Sequence, residues 1–151
     1  MSNTEISTDR RAFLASAAAA MVVGALPASA ATEHHHHHHG AHQDIVDAAD
    51  ECVATGKTCL NHCLILLGDG DTTMKECAKS VNEMIPVCGA MATLALSDSR
   101  NLRVMADACL AACKDCAAAC EKHMEQHVEC KDCYDACKNS IAAVEKYLNA
   151  A

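Results

Sequence analysis

From about residue 43 onward, apolar positions return every three or four residues with polar ones between, which is the period of an amphipathic α-helix. The first such stripe is Ile45, Ala49, Cys52, Gly56, Cys59, Cys63 and Leu66 or Leu67. It predicts a helix from about Gln43 to Leu67 that stops at the turn sequence Gly68-Asp69-Gly70. The second stripe is Met74, Cys77, Val81, Met84, Cys88, Met91 and Ala95, in a helix capped by Asp71 or Thr72 and running to about Leu96. Pro86 lies inside it and is expected to kink it. After a turn at Ser97-Asp98-Ser99, the third helix carries Leu102, Met105, Cys109, Cys113, Cys116 and Cys120 on one face. A break follows within Glu121–His127, where no Gly or Pro marks its position, and the fourth helix presents Cys130, Cys133, Cys137, Ile141, Val144 and Leu148. Four amphipathic helices joined by short connections predict an all-α fold, an antiparallel up-down four-helix bundle.

The stripes are unusual for what fills them. All twelve cysteines of the chain lie on these four faces, in the runs Cx6CxxxC (Cys52–Cys63), CxxxCxxCxxxC (Cys109–Cys120) and CxxCxxxC (Cys130–Cys137), with Cys77 and Cys88 on the second helix. The bundle core is therefore expected to be lined with sulfur. Alternating chain direction makes it polar. Cys59, Cys63, Cys77, Cys113, Cys116, Cys120, Cys130 and Cys133 crowd toward the end that holds the first and third loops. Ile45, Leu94, Leu96, Leu102, Ile141, Val144 and Leu148 are expected to plug the other end.

The N-terminal segment is of another kind. Thr8-Asp9-Arg10-Arg11-Ala12-Phe13-Leu14 resembles a twin-arginine export signal, followed by an apolar run from Ala15 to Leu26 and a small-residue cleavage site at Ala28-Ser29-Ala30. The run is too short to span a bilayer comfortably. Residues 1–30 read as a cleaved signal, with no membrane insertion afterwards, and the mature protein is expected in the periplasm of a bacterium. Residues 31–42 contain His34–His39 and His42 without apolar pattern, and read as a disordered His-rich arm before a domain at 43–149. The net charge of −8 opposes nucleic acid or an anionic membrane surface as a partner. After Ala30 the only aromatic residues besides histidine are Tyr134 and Tyr147. Core stability must then come from small-residue helix packing and from whatever the sulfurs bind.

Several chemistries use cysteine in number. Disulfides are common in exported proteins, but thiols at i and i+4 of one helix stand ~5–6 Å apart at Cβ, against the ~3.8 Å a disulfide prefers. Pairing across helices remains open. A tetrahedral zinc site could use the CxxC pairs Cys113–Cys116 and Cys130–Cys133, yet it would leave eight cysteines unexplained. An iron–sulfur cluster meets the same objection. Cu(I) is soft, prefers thiolate and thioether, and its near-linear S–Cu–S unit bridges the CxxxC pairs Cys59–Cys63, Cys109–Cys113, Cys116–Cys120 and Cys133–Cys137. With each ion on two sulfurs and each sulfur shared by two ions, capacity is roughly 12. Adjacent buried thiolates persist only when cations neutralise them. Catalysis would need a Cys–His nucleophile and base. His62 beside Cys63 does not place the two on one face, so an enzyme is not expected.

Cys59-Leu60-Asn61-His62-Cys63, the single Cys77, and the dense clusters Cys109–Cys120 and Cys130–Cys137 together resemble the exported four-helix-bundle copper storage proteins. The resemblance covers about Gln43 to Leu148. It implies a homotetramer storing many Cu(I) ions inside each bundle, for supply to copper enzymes such as the oxygenase of methane oxidisers. It also implies that a His and several Met at the open end admit copper. His62 and Met74 stand at matching positions, whereas Leu66 and Asp69 occupy places where such members carry Met. His123, Met124 and His127, at the third loop of the same end, could compensate. The implied ligands are Cys52, Cys59, Cys63, Cys77, Cys88, Cys109, Cys113, Cys116, Cys120, Cys130, Cys133 and Cys137 with His62 and Met74. Met84, Met91 and Met105 read as core filler.

Overall fold

A computed structural model describes residues 40–150, so residues 1–30, read as an export signal, and the six consecutive histidines lie outside the described residues. Four α-helices account for almost all of the described chain: α1 (Gln43–Gly68), α2 (Lys75–Leu96), α3 (Leu102–Glu121) and α4 (Val128–Ala150). A single 3-10 turn, Thr72–Met74, precedes α2. Backbone packing joins α1 to α2, α2 to α3, α3 to α4, and α4 back to α1, with none across the diagonals. That is the square of an antiparallel up-down bundle, and its interior is filled by side chains from all four walls.

The connections follow from local chemistry. Beyond α1 the amides of Asp69, Gly70 and Asp71 turn back onto the carbonyls of Ile65, Leu67 and Leu66. This reversal puts Gly70 at φ +96°, where a side chain would be strained. Asp71 then caps the 3-10 turn, its carboxylate accepting from the Thr73 amide at 3.0 Å and the Thr73 hydroxyl at 2.6 Å. The second reversal uses Asp98 at φ 46°. The third spans residues 122–127 and is held by the His127 amide bonding to the His123 carbonyl at 3.0 Å. Pro86 does not end α2, which continues through it to Leu96. The ring lies on the exposed face, where water can serve the carbonyl left without its amide partner.

The core agrees with the stripes in all but a few positions. Ile45, Met91, Leu102 and Val144 are buried to within 1% at the end away from the first and third loops, with Ala49, Ala95 and Ala106 between them. Leu96 is not part of this plug. It is 69% exposed, because one step past the inward-facing Ala95 turns the side chain about 100° toward solvent. Leu94 and Leu148 flank the plug, half-buried. Met105 also stands at the flank, and Ala106 takes the inward position between Leu102 and Cys109. Gly56 lets α1 approach α2 closely: a Cβ there would meet Met84 Cε at 2.8 Å and Ile85 Cγ1 at 3.0 Å. His42 is not free of the domain. Its Nε2 lies 3.2 Å from Asp98 Oδ1, and its ring meets Tyr147 edge-on at 5.2 Å, tying the start of α1 to the second loop and to α4.

Candidate metal centre

All twelve cysteines are completely buried, and all twelve are free thiols. They are inward because Cys obeys the same helical phase as the Ala, Val and Met that continue each stripe. Opposite walls then bring sulfur to sulfur along the bundle axis.

At the end with the first and third loops, Cys59 Sγ lies 4.0 Å from Cys63, 3.9 Å from Cys77 and 3.8 Å from Cys130, and Cys77 lies 4.0 Å from Cys130. Cys120 adjoins this quartet, 3.6 Å from Cys77. In the middle of the column Cys116 and Cys133 approach to 3.7 Å. Cys137 completes one compact trio with them, and Cys59, Cys120 and Cys133 form another. Deepest lie Cys88, 3.5 Å from both Cys109 and Cys113, with Cys109 and Cys113 3.8 Å apart and Cys52 closing a trio with Cys88 and Cys113. Shared members link the first two levels. These separations are near twice the ~2.05 Å of a disulfide bond, and each group can enclose an ion.

The grouping removes one arrangement that the spacing left open. The two CxxC motifs do not form a joint site, since Cys113 belongs to the deep group, Cys116 to the middle and Cys130 to the quartet. A step of three residues climbs about 4.5 Å along a helix and sends the paired thiols to different levels. Among the CxxxC pairs, Cys59–Cys63 and Cys109–Cys113 stay together, whereas Cys116 and Cys120 turn to Cys133 and Cys77 on other helices.

Within each level the thiols perturb one another's titration. Cys63 is held low by the thiols of Cys130, Cys59 and Cys77 donating toward it. Cys133 is held low by Cys116 and Cys120, and Cys113 by Cys109 and Cys137. The donors move the other way: Cys109 is pushed up to about 12, chiefly by Cys113, and Cys88 is raised by Cys109. A second thiolate beside the first is disfavoured until a cation arrives.

The rim of the quartet carries histidine. His62 Nε2 lies 3.0 Å from His127 Nδ1, although α1 and the third loop are 65 residues apart. His123 follows, with its ring centroid 6.5 Å from that of His127. Met124 is half-buried in the same loop, and Met74 is fully buried in the turn before α2. Two residues were missed in the sequence. Glu129 stands 3.7 Å behind His62 Nδ1, and only the loop geometry brings it there. Ser140 is the sole buried polar residue among those described, and its Oγ accepts from the Cys113 thiol at 3.6 Å. Its position was legible: Cys130, Cys133, Cys137 and Ser140 are successive steps on one stripe.

A helical bundle whose interior is a column of free thiols, with imidazoles at one rim, defines a protein built to take up soft metal ions. The chain belongs to the copper storage protein family, whose sequence model matches residues 36–149. That family stores metal and does not catalyse. No curated protein matches the sequence.

Proposed function

We propose that the protein stores Cu(I), with many ions held along the axis of the bundle by all twelve cysteines. The observation that carries this reading is the continuity of the sulfur: twelve buried, unpaired thiols in overlapping groups, with separations of 3.5–4.0 Å between the closest sulfurs. A soft monovalent ion suits such a lining, since each bound ion replaces a proton and no charge accumulates in the core. Copper enters and leaves at the end formed by the first and third loops. There His62 and His127 supply two nitrogens at the rim, with Met74 buried in the turn before α2 and His123 and Met124 in the third loop. The apolar plug closes the other end. Residues 1–30 direct export by the twin-arginine route, and the stored copper serves exported or membrane copper enzymes. The mature protein assembles as a homotetramer, consistent with Leu64, Ile65, Val104 and Val128 standing more than half exposed on the single bundle.

Anaerobic titration of the reduced protein with Cu(I), against a competing chelator, tests the central claim. Uptake of about a dozen ions is expected, and saturation after one or two ends the storage reading. His62→Ala with His127→Ala is expected to slow loading and leave the final amount unchanged.

A further inference from the structure

The quartet nearest the rim differs from the rest of the column in ligand number. Cys59, Cys63, Cys77 and Cys130 are the one set of four thiols whose sulfurs all lie within 4.8 Å of one another among the described residues; the remaining sets are trios. Four sulfurs placed about 2.3 Å from a central zinc in a tetrahedron are about 3.8 Å apart. Four of the six separations within the quartet are 3.8, 3.9, 4.0 and 4.0 Å, and the other two, from Cys63 to Cys77 and to Cys130, lie within 4.8 Å. The ligands come from three helices, α1, α2 and α4, so a single ion there would cross-link three walls of the bundle.

We propose that, in the copper-free protein, Cys59, Cys63, Cys77 and Cys130 form a tetrahedral thiolate site that binds one zinc ion per chain. The trios do not offer this. A zinc on three thiolates needs a fourth donor or an open position for water. The deep group does hold a fourth thiol, Cys109, 3.5 Å from Cys88 and 3.8 Å from Cys113, but its sulfur does not join those of Cys52, Cys88 and Cys113 in one set within 4.8 Å as the quartet's do. The quartet also lies closest to solvent along the axis, with His62 next to Cys63 and Glu129 next to Cys130 in sequence. Zinc binding releases the thiol protons and consumes no redox equivalents. Cu(I), which is softer and preferred by thiolates, then displaces the zinc as the column fills. The zinc-bound form is thus a resting state in which the mouth is braced and its thiols are shielded. The inference rests on the geometry of four thiols and stands independently of Cu(I) capacity.

Cobalt(II) is the probe, because thiolate coordination gives intense sulfur-to-metal charge-transfer bands that histidine nitrogens do not produce, and four thiolates shift the tetrahedral d–d bands to longer wavelength. The full-length reduced protein, free of metal and under anaerobic conditions, is expected to develop these bands up to one equivalent and to lose them when one equivalent of zinc is added. Cys63→Ser and Cys130→Ser are expected to abolish the tetrathiolate spectrum, each variant being checked for retained helix by circular dichroism. Cys109→Ser, in the deep group, should leave it intact. Absence of the thiolate bands, their persistence in both quartet variants, or their growth well past one equivalent would each overturn the proposal. A protein that fails this test can still fill with Cu(I), and one that passes can still fail to store copper, so the two readings fall separately.

Discussion

The two ends of the bundle are built in the same helical register from different side chains, and they do different work. At the end away from the first and third loops, Ile45, Met91, Leu102 and Val144 interlock as an ordinary apolar core. At the other end, and down the middle, the same inward positions hold Cys59, Cys63, Cys77, Cys120 and Cys130. Sulfur contributes less burial per side chain than Leu or Ile, so the sulfur half gains less from the hydrophobic effect. One end is built to supply stability without metal; the other is expected to gain stability from bound ions.

The largest effect expected from this division is that of metal itself. A ligand present at a thousand times its dissociation constant stabilises the native state by about 4 kcal/mol per site, and each kcal/mol raises the melting temperature of a domain this size by roughly 4–8 °C. The Cu(I)-loaded protein is therefore expected to melt tens of degrees above the metal-free form by circular dichroism. Melting within a few degrees of each other would show that the thiol half is already as stable as the plug.

The second test sets one residue from each half against the other. Leu102→Ala opens a cavity in the plug and is expected to cost about 2–5 kcal/mol in the metal-free protein, with copper capacity unchanged. Cys113→Ala removes less volume and is expected to cost about 1–2 kcal/mol, but to lower capacity by roughly one or two ions. Urea unfolding and chelator-competed titration measure both quantities. Equal losses of capacity in the two variants would erase the contrast between the ends.

The division was largely visible in the sequence because sulfur keeps the helical phase of the apolar residues it replaces. Gly68-Asp69-Gly70 and Ser97-Asp98-Ser99 placed two of the three loops by their turn chemistry. The third, residues 122–127, has no Gly or Pro and closes through ordinary backbone hydrogen bonds, so only its neighbourhood could be read. Periodicity also tells which face a thiol occupies but not which sulfur it meets across the gap. Cys116 and Cys120 pair by spacing, yet each has a close sulfur neighbour on another helix, Cys133 at 3.7 Å and Cys77 at 3.6 Å. The contact between His62 and His127 has the same origin, since it depends on where a loop lands. Leu96 falls one residue of phase outside the plug, and Ser140 gives no signal of its own because a hydroxyl registers neither as apolar nor as a metal ligand.

Ser140 marks the boundary between the halves and gives a smaller, sharper test. Its hydroxyl has only thiol partners, Cys113 at 3.6 Å and Cys109 at 3.9 Å, and these are weak ones. Ser140→Ala is expected to change metal-free stability by less than about 1 kcal/mol. Ser140→Cys extends the column by one soft ligand and is expected to raise Cu(I) capacity by about one ion. Unchanged capacity in Ser140→Cys would mean that the column ends for want of space and not for want of sulfur.

The smallest expected effect concerns the surface of the plug end. Asp44, in the first turn of α1, meets Lys146 of α4 at 2.9 Å, joining the first and last helices. The Lys146 hydrogen bond holds the Asp44 carboxyl below the usual aspartate range, against an opposing desolvation effect. A carboxyl lowered in the folded state contributes stability that is fully present above its unfolded value near 4 and is lost as pH falls through the folded value. Both side chains are more than half exposed, so screening keeps this contribution within about 0.5 kcal/mol. Asp44→Asn is therefore expected to lower the urea midpoint slightly at pH 7 and low salt, with the difference from wild type shrinking below pH 4 and in high salt. A difference that persisted under both conditions would assign the loss to packing, making this contact part of the apolar plug instead of a solvated strap across it.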